Sequence, residues 1–208
     1  MGELLDYMRA YNLMRKYGIN AAQAKYVSSA QDAVKFAGGK PVVLKVISSK
    51  AIHKSKNGVV KLGLSRSDEI KAAYSYLKSK AERLGLRPYK ILIQHMAKNG
   101  VEIIVGGKTD QQFGKLVLIG LGGIYVEVFK DVAIRLCPLR RYDAEAMIGQ
   151  LRSKSVVAPN RRAEKMLSNV LLKVSKMIYN EKISELDLNP IIVTDTNYVA
   201  VDLRFITS

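Results

Sequence analysis

The sequence predicts an α+β fold, and three observations carry that reading. Apolar residues at helical spacing are interrupted by short apolar runs of strand type. Tight-turn signals such as Asn99-Gly100 favour antiparallel hairpins. Strands and helices also fail to alternate one for one, as a doubly wound parallel sheet would require.

Each element follows from local chemistry. Leu4, Leu5, Met8, Tyr11 and Met14 recur at helical spacing, and Gly18 stops that helix. Ser28 or Ser29 caps a second helix running to Ala37, with Asp32 against the positive end of its dipole. Gly38-Gly39-Lys40-Pro41 breaks it, and residues 41–47 and 59–64 form two strands around the polar loop 48–58. Ser67-Asp68-Glu69 opens a helix with Ile70, Ala73, Tyr74 and Leu77 on one face, ending near Gly85. Strands at 89–96 and 101–106 flank the turn Lys98-Asn99-Gly100 and are expected to pair as a hairpin. A short strand at 116–119 runs into Gly120-Leu121-Gly122-Gly123, and two more follow at 126–129 and 133–136. Residues 143–151 and 161–179 are helical, the second on a stripe of Leu167, Val170, Leu171, Val174 and Ile178. Strands at 186–193 and 199–205 close the chain as a pair.

With 208 residues, 48% of them hydrophobic and 25% charged, the chain has the composition of a soluble globular protein with a real core. No apolar run approaches the roughly 18 residues of a membrane helix. The acidic, amphipathic start Met1-Gly2-Glu3-Leu4-Leu5-Asp6 lacks the character of a signal peptide, so the cytoplasm is the expected compartment. The lone Cys137 excludes an internal disulfide framework and a cysteine zinc site. A net charge of +16 calls for an anionic ligand or an acidic partner. Nucleic acid is disfavoured, because aromatics make up only 7% of the chain, Trp is absent, and residues 40–66 contain none.

The charge is also unevenly placed. Between Asp32 and Asp68 stand eight Lys or Arg residues and no carboxylate, whereas Glu181, Glu185, Asp187, Asp195 and Asp202 meet only Lys182 in the tail. A basic segment and an acidic segment suit a phosphate ligand together with its metal ion. Lys45 stands in the middle of an apolar strand, where an ammonium either meets an anion or reaches out to water. Lys61 repeats the arrangement in the next strand, and the two lysines are expected to face one cleft and hold a polyphosphate. His53 lies in a polar loop beside Lys50, Lys54 and Lys56, whose charge keeps an imidazole neutral and nucleophilic. A surface histidine with no task is the alternative there. His95, flanked by Ile91-Leu92-Ile93-Gln94, reads as structural. Gly120-x-Gly122-Gly123 brings backbone N–H groups towards an anion or simply forms a turn. Alternation puts Asp187 and Asn189 on one strand face, where Asp202 of the partner strand joins them as three hard oxygen ligands for Mg²⁺. A solvated sheet face would use the same residues.

Assembled, these residues resemble the ATP-grasp (β) subunit of ADP-forming acetyl-CoA synthetase, within the NDP-forming acyl-CoA synthetase and succinyl-CoA ligase superfamily. The likeness is carried by Tyr17-Gly18-Ile19, Pro41-Val42-Val43-Leu44-Lys45, Ile52-His53-Lys54-Ser55 and Val60-Lys61-Leu62-Gly63-Leu64. Further blocks are Glu102-Ile103-Ile104-Val105-Gly106, Asp110-Gln111-Gln112-Phe113-Gly114, Gly120 through Glu127, Lys130-Asp131-Val132, Leu186-Asp187-Leu188-Asn189-Pro190 and Val199-Ala200-Val201-Asp202.

The resemblance implies an ATP-grasp fold of two α+β lobes, here residues 1–90 and 91–208, holding the nucleotide between two sheets. It implies the reaction acyl-CoA + ADP + phosphate ⇌ acid + CoA + ATP, with ATP/ADP and Mg²⁺ bound and a separate CoA-binding α subunit in a hetero-oligomer, α₂β₂ by that likeness. The partner's phosphohistidine would pass its phosphoryl group to His53 and then to ADP. Lys45 looks like the lysine on the nucleotide phosphates. The strand 91–96, with Gln94 and Met96, looks like the hinge beside the adenine. Glu102, Gly122 and Gly123 belong to blocks around the nucleotide, and Glu127 after the glycines would orient phosphate or the histidine. Asn189 and Asp202 look like metal ligands, with Asp187 close by. The sequence departs from the family at Lys56-Asn57-Gly58-Val59 and at Ile19-Asn20-Ala21-Ala22. It departs again at residues 153–159, which replace a Gly-x-Arg-Gly-x-Pro loop. A diverged nucleotide-binding protein without the phosphohistidine cycle, serving regulation or assembly, is the alternative reading.

Overall fold

Val42, Leu44 and Val46 turn to one face of a strand and are covered there by two helices; the arrangement is taken from a computed structural model that describes residues 2–50, 58–123 and 131–207. The chain divides into two compact units, residues 22–96 and residues 1–21 with 97–208.

In the first unit β1 (Ala24–Val27), β2 (Val42–Ile47), β3 (Val60–Leu64) and β4 (Lys90–His95) form an antiparallel sheet in the order β1-β4-β2-β3. Helices α2 (Ala30–Ala37) and α3 (Ser67–Arg83) lie on one face, burying Ala33, Ala37, Ile70, Ala73, Leu77 and Ala81 against Leu44, Val46, Ile91 and Ile93. Each large side chain so buried contributes roughly 1.5–3 kcal/mol. Helix α2 begins as expected, with the Ser29 hydroxyl accepting from the Asp32 N–H at 3.1 Å, and ends at Gly38 in the left-handed region (φ 54°).

The second unit holds β5 (Val101–Asp110), β6 (Gly114–Leu121), β7 (Val132–Leu136), β8 (Ile183–Val193), β9 (Tyr198–Ala200) and β10 (Leu203–Thr207). Its sheet runs β10-β8-β5-β6-β7, with β9 beside β8. The long helix Arg161–Asn180 buries the stripe that its periodicity predicts, Leu167, Val170, Leu171, Val174 and Ile178. The helix Arg141–Gln150 packs beside it, and α1 (Tyr7–Lys16) contacts β10. No helix among the described residues is long and apolar enough to cross a membrane.

Several expectations are corrected. The strands around Asn99-Gly100 do not pair with each other: β4 joins β1 and β2, whereas β5 joins β6 and β8. A turn dipeptide sets a local bend, and the sheets that bury each strand outweigh it. The same fact moves the division of the chain from residue 90 to residue 96, because β4 is central to the first sheet, and residues 1–21, expected to lead the first lobe, belong to the other unit. Helix α1 buries Tyr7, Ala10 and Met14 rather than a stripe from Leu4, which instead bridges Ile206. The final strand is split into β9 and β10, and β1 and the short helix Lys154–Val157 had no clear periodic signal. The strand expected at 126–129 lies outside the described residues.

Candidate functional site

Lys45 occupies the centre of β2 and is 7% exposed. Its register partner on β4 is Leu92, and Val43 faces Gln94, so Lys45 and Gln94 share the sheet face that the helices leave uncovered. Gln94 is buried, and just beyond it Met96 leaves the sheet, half exposed, with its N–H donating to the Pro41 carbonyl at 2.9 Å. One face of the first unit thus offers a cation and an amide, with a strand end nearby.

Lys61 does not join them. It pairs with Leu44, whose side chain packs under the helices, and its ammonium lies 4.2 Å from the ring centre of Tyr76 on α3. A one-residue offset in register, at the irregularity between Val42 and Leu44, decides which face a side chain takes. The expectation that both lysines face one cleft therefore fails, and Lys61 is a cation–π partner. His95 is structural, as its flank suggests. Its ring stacks on Phe36 at 4.7 Å, and burial, with Lys40 nearby, pushes its pKa down.

In the second unit Glu102, Gly122 and Gly123 come together. The Gly122 N–H donates to the Glu102 carbonyl at 2.7 Å, and a Cβ on Gly122 would lie 2.8 Å from the Glu102 carbonyl carbon. Gly123 has φ +69°, and its α-carbon lies beneath the Glu102 carboxylate, where a Cβ would meet Oε2 at 2.9 Å. Glycine is required at both places, for close approach at the first and for conformation at the second. Glu127 and His53 lie outside the described residues.

Asp187, Asn189 and Asp202 are also brought together. Strand β8 alternates normally through Leu186, Asp187 and Leu188, and then carries an extra residue against β5. Ile103 pairs with Ile191, but Val105 pairs with Leu188. The bulge leaves Asn189 exposed between buried Leu188 and Ile191. Across from it the Val201 N–H donates to the Pro190 carbonyl at 3.1 Å and Leu203 pairs with Leu188, which sets Asp202 beside Asn189. Asp187 is paired in register with Arg204, whose guanidinium bonds Glu185. Burial lifts the Asp187 carboxyl above the usual range; Arg204 opposes this, while Asp202 and Glu185 add to it. Its Oδ1 is buried without a hydrogen-bond partner.

Among the described residues no three of His, Cys, Asp and Glu gather as a complete metal site. Two carboxylates and an amide, one oxygen of them orphaned and buried, nevertheless fit a hard cation that takes its remaining ligands from phosphate and water. Asp131 was a family marker without a role in the sequence. It accepts from the N–H groups of Arg152 and Ser153 at 2.9 and 2.8 Å and from the Ser153 hydroxyl, and so anchors the segment at 153–159. Burial works to raise its pKa, but these hydrogen bonds prevail and hold it low.

The family profile described as the ATP-grasp domain matches residues 1–207. Over 201 residues the chain is 37% identical to ADP-forming acetate–CoA ligase II of Archaeoglobus fulgidus, covering 93% of this chain and 29% of that protein. It thus spans less than a third of that relative's length. To the β subunit of ADP-forming acetate–CoA ligase I of Pyrococcus furiosus it is 35% identical over 212 residues, covering 95% of this chain and 89% of that one. Two solved structures of the dinucleotide-forming acetyl-coenzyme A synthetase 1 of Ca. Korarchaeum cryptofilum share its fold. The complex with coenzyme A, Ca-AMPCP and HgCl⁺ has a TM-score of 0.91 at 34% identity, covering 99% and 94% of the two chains. The complex with coenzyme A and Mg-AMPPCP, its phosphohistidine segment pointing towards the nucleotide binding site, has a TM-score of 0.84 at 33% identity, covering 99% and 93%.

Proposed function

This chain belongs to the ATP-grasp family, and on that premise we propose that it is the nucleotide-binding β subunit of an ADP-forming acyl-CoA synthetase. The reaction is acyl-CoA + ADP + phosphate ⇌ acid + CoA + ATP, in the cytoplasm, with a CoA-binding α subunit forming the acyl phosphate. The observation that carries this reading is the buried, unpartnered carboxylate oxygen of Asp187 beside Asn189 and Asp202, a placement that is costly for a protein without a cation to bind there.

Asn189 and Asp202, with Asp187 behind them, would hold Mg²⁺, which when bound neutralises phosphate charge. Lys45 supplies positive charge to nucleotide phosphate, and desolvation in the sheet strengthens it. Gln94 and the chain at Met96 border the adenine. Glu102, held over Gly122 and Gly123, orders the glycine turn against the nucleotide. His53 takes the phosphoryl group from the partner's phosphohistidine as one P–N bond breaks and another forms. A terminal oxygen of ADP then attacks phosphorus, the bond to His53 breaks, and the imidazole returns neutral. Glu127 orients His53 or the phosphate.

The test is incubation with radiolabelled ATP and Mg²⁺, with and without the CoA-binding subunit. Label that is acid-labile and base-stable on the wild type, and absent from His53→Ala, is the expected result. Nucleotide-dependent thermal stabilisation without label would support the diverged, non-catalytic binder instead. No effect of nucleotide on label or stability would overturn both readings.

A further inference from the structure

The four strands of the first unit hold the lysines Lys25, Lys45, Lys61 and Lys90 and no carboxylate. The pleat divides these lysines between its two faces. Lys25 pairs with Ile93 and Lys61 with Leu44, both residues of the core under the helices, so these two turn to the covered face. Each has an answering group there: Lys25 meets the Asp32 carboxylate at 2.5 Å, and Lys61 lies over the Tyr76 ring. Lys45 and Lys90 take the open face. Tyr26, Leu92 and Lys45 form one row across β1, β4 and β2, and Lys90 pairs with Ile47 in the next. Gln94 pairs with Val43 in the row before, so Gln94, Lys45 and Lys90 follow one another along the open face in steps of about 7 Å. The exposed Lys90 has its ammonium 4.5 Å from the ring centre of Tyr26, a contact that holds it over this face. Glu82 lines the same open cavity of about 870 Å³ as Tyr26 and Lys90, but its oxygens are engaged by Arg87 and Tyr89 at 2.6 to 2.8 Å.

We propose that Lys90, steadied by Tyr26, binds the phosphates beyond the first and so distinguishes a nucleoside di- or triphosphate from a monophosphate; the assignment rests on the function proposed above. In that reading Gln94 and Met96 border the adenine. A nucleotide laid along the open face then meets Lys45 first and Lys90 one row later, towards the end of its polyphosphate. The negative charge of the ligand grows in that direction, and the strands beneath add none of their own. A lysine suits the place, because its compact ammonium on a flexible stem can follow a phosphate whose position shifts during transfer. Lys90 thus fills the part of a second phosphate lysine that Lys61, on the opposite face, cannot.

The test is calorimetric binding of Mg²⁺-ATP and, separately, of AMP to the full chain. Lys90→Ala should bind Mg²⁺-ATP roughly tenfold more weakly, the scale of one charge-assisted contact, and AMP within about twofold of the wild type. Lys90→Arg should recover most of the lost ATP affinity. Tyr26→Leu, which leaves the ammonium unsteadied, should lose about twofold to threefold for ATP and nothing for AMP. Wild-type affinity of Lys90→Ala for Mg²⁺-ATP overturns the proposal and leaves the proposed function standing. An equal loss for ATP and AMP does the same, because it marks Lys90 as a support of the sheet rather than a phosphate contact. A wild-type chain that binds neither nucleotide overturns both.

Discussion

In the four-stranded unit Lys45 and Gln94 occupy ordinary alternating positions of two paired strands, whereas in the six-stranded unit Asn189, Asp202 and Gly122 sit where the strand pattern breaks. The first unit builds its polar face from the pleat alone. The second builds its polar positions from a bulge, a gap between β9 and β10, and a glycine pressed on Glu102. There the backbone that displays the polar side chains is itself the unusual feature. At an irregularity, a substitution also acts on the backbone that places it.

Substitutions sharpen that contrast, and the largest effect is expected at Gly122. A Cβ there meets backbone at 2.8 Å, so Gly122→Ala should cost roughly 2–3 kcal/mol in urea unfolding. An unchanged midpoint would show that β5 and the glycine turn are not so tightly joined.

Lys45→Ala tests the first unit through binding: loss of a charge-assisted contact predicts roughly tenfold to hundredfold weaker binding of Mg²⁺-ATP by calorimetry. Unaltered affinity would remove the first unit from the nucleotide site.

Asp187→Asn tests the second unit through pH. The carboxyl is lifted in the folded state, so the fold favours its protonated form, and that stability is lost as pH rises past its ordinary range. Without Mg²⁺ the variant should melt above the wild type at pH 7, the gap closing below about pH 4. With Mg²⁺-nucleotide the wild type should gain more and the order reverse. A Tm difference independent of both pH and Mg²⁺ would contradict the cation role.

The smallest effect is reserved for Lys61→Ala. Loss of its contact with Tyr76 should cost about 0.5–1 kcal/mol, with nucleotide affinity kept within about twofold. A large loss of affinity would return Lys61 to the site.

How far the site was legible in the sequence follows the same line. Lys45 was visible because a lysine amid Val43, Leu44, Val46 and Ile47 contradicts its surroundings. The sharing of one face by Asp187 and Asn189 follows from alternation, which β8 obeys up to its bulge. Lys61 was misread because its face depends on the register of β3 against β2, and no residue of β3 records that register. Asp131 was passed over because its partners, Arg152 and Ser153, lie about twenty residues away in the chain.

The sequence by itself determined the α+β class, the capped helix α2, the buried stripe of the long helix Arg161–Asn180, and the acidic and basic segments. Each of these depends on residues within one or two turns or strands of each other. Only the tertiary structure decided that β4 and β5, adjacent around Asn99-Gly100, belong to different sheets, and that Lys45 and Lys61 point to opposite faces. Both outcomes are set by which strands bury one another, and that free energy is shared among segments far apart in the chain.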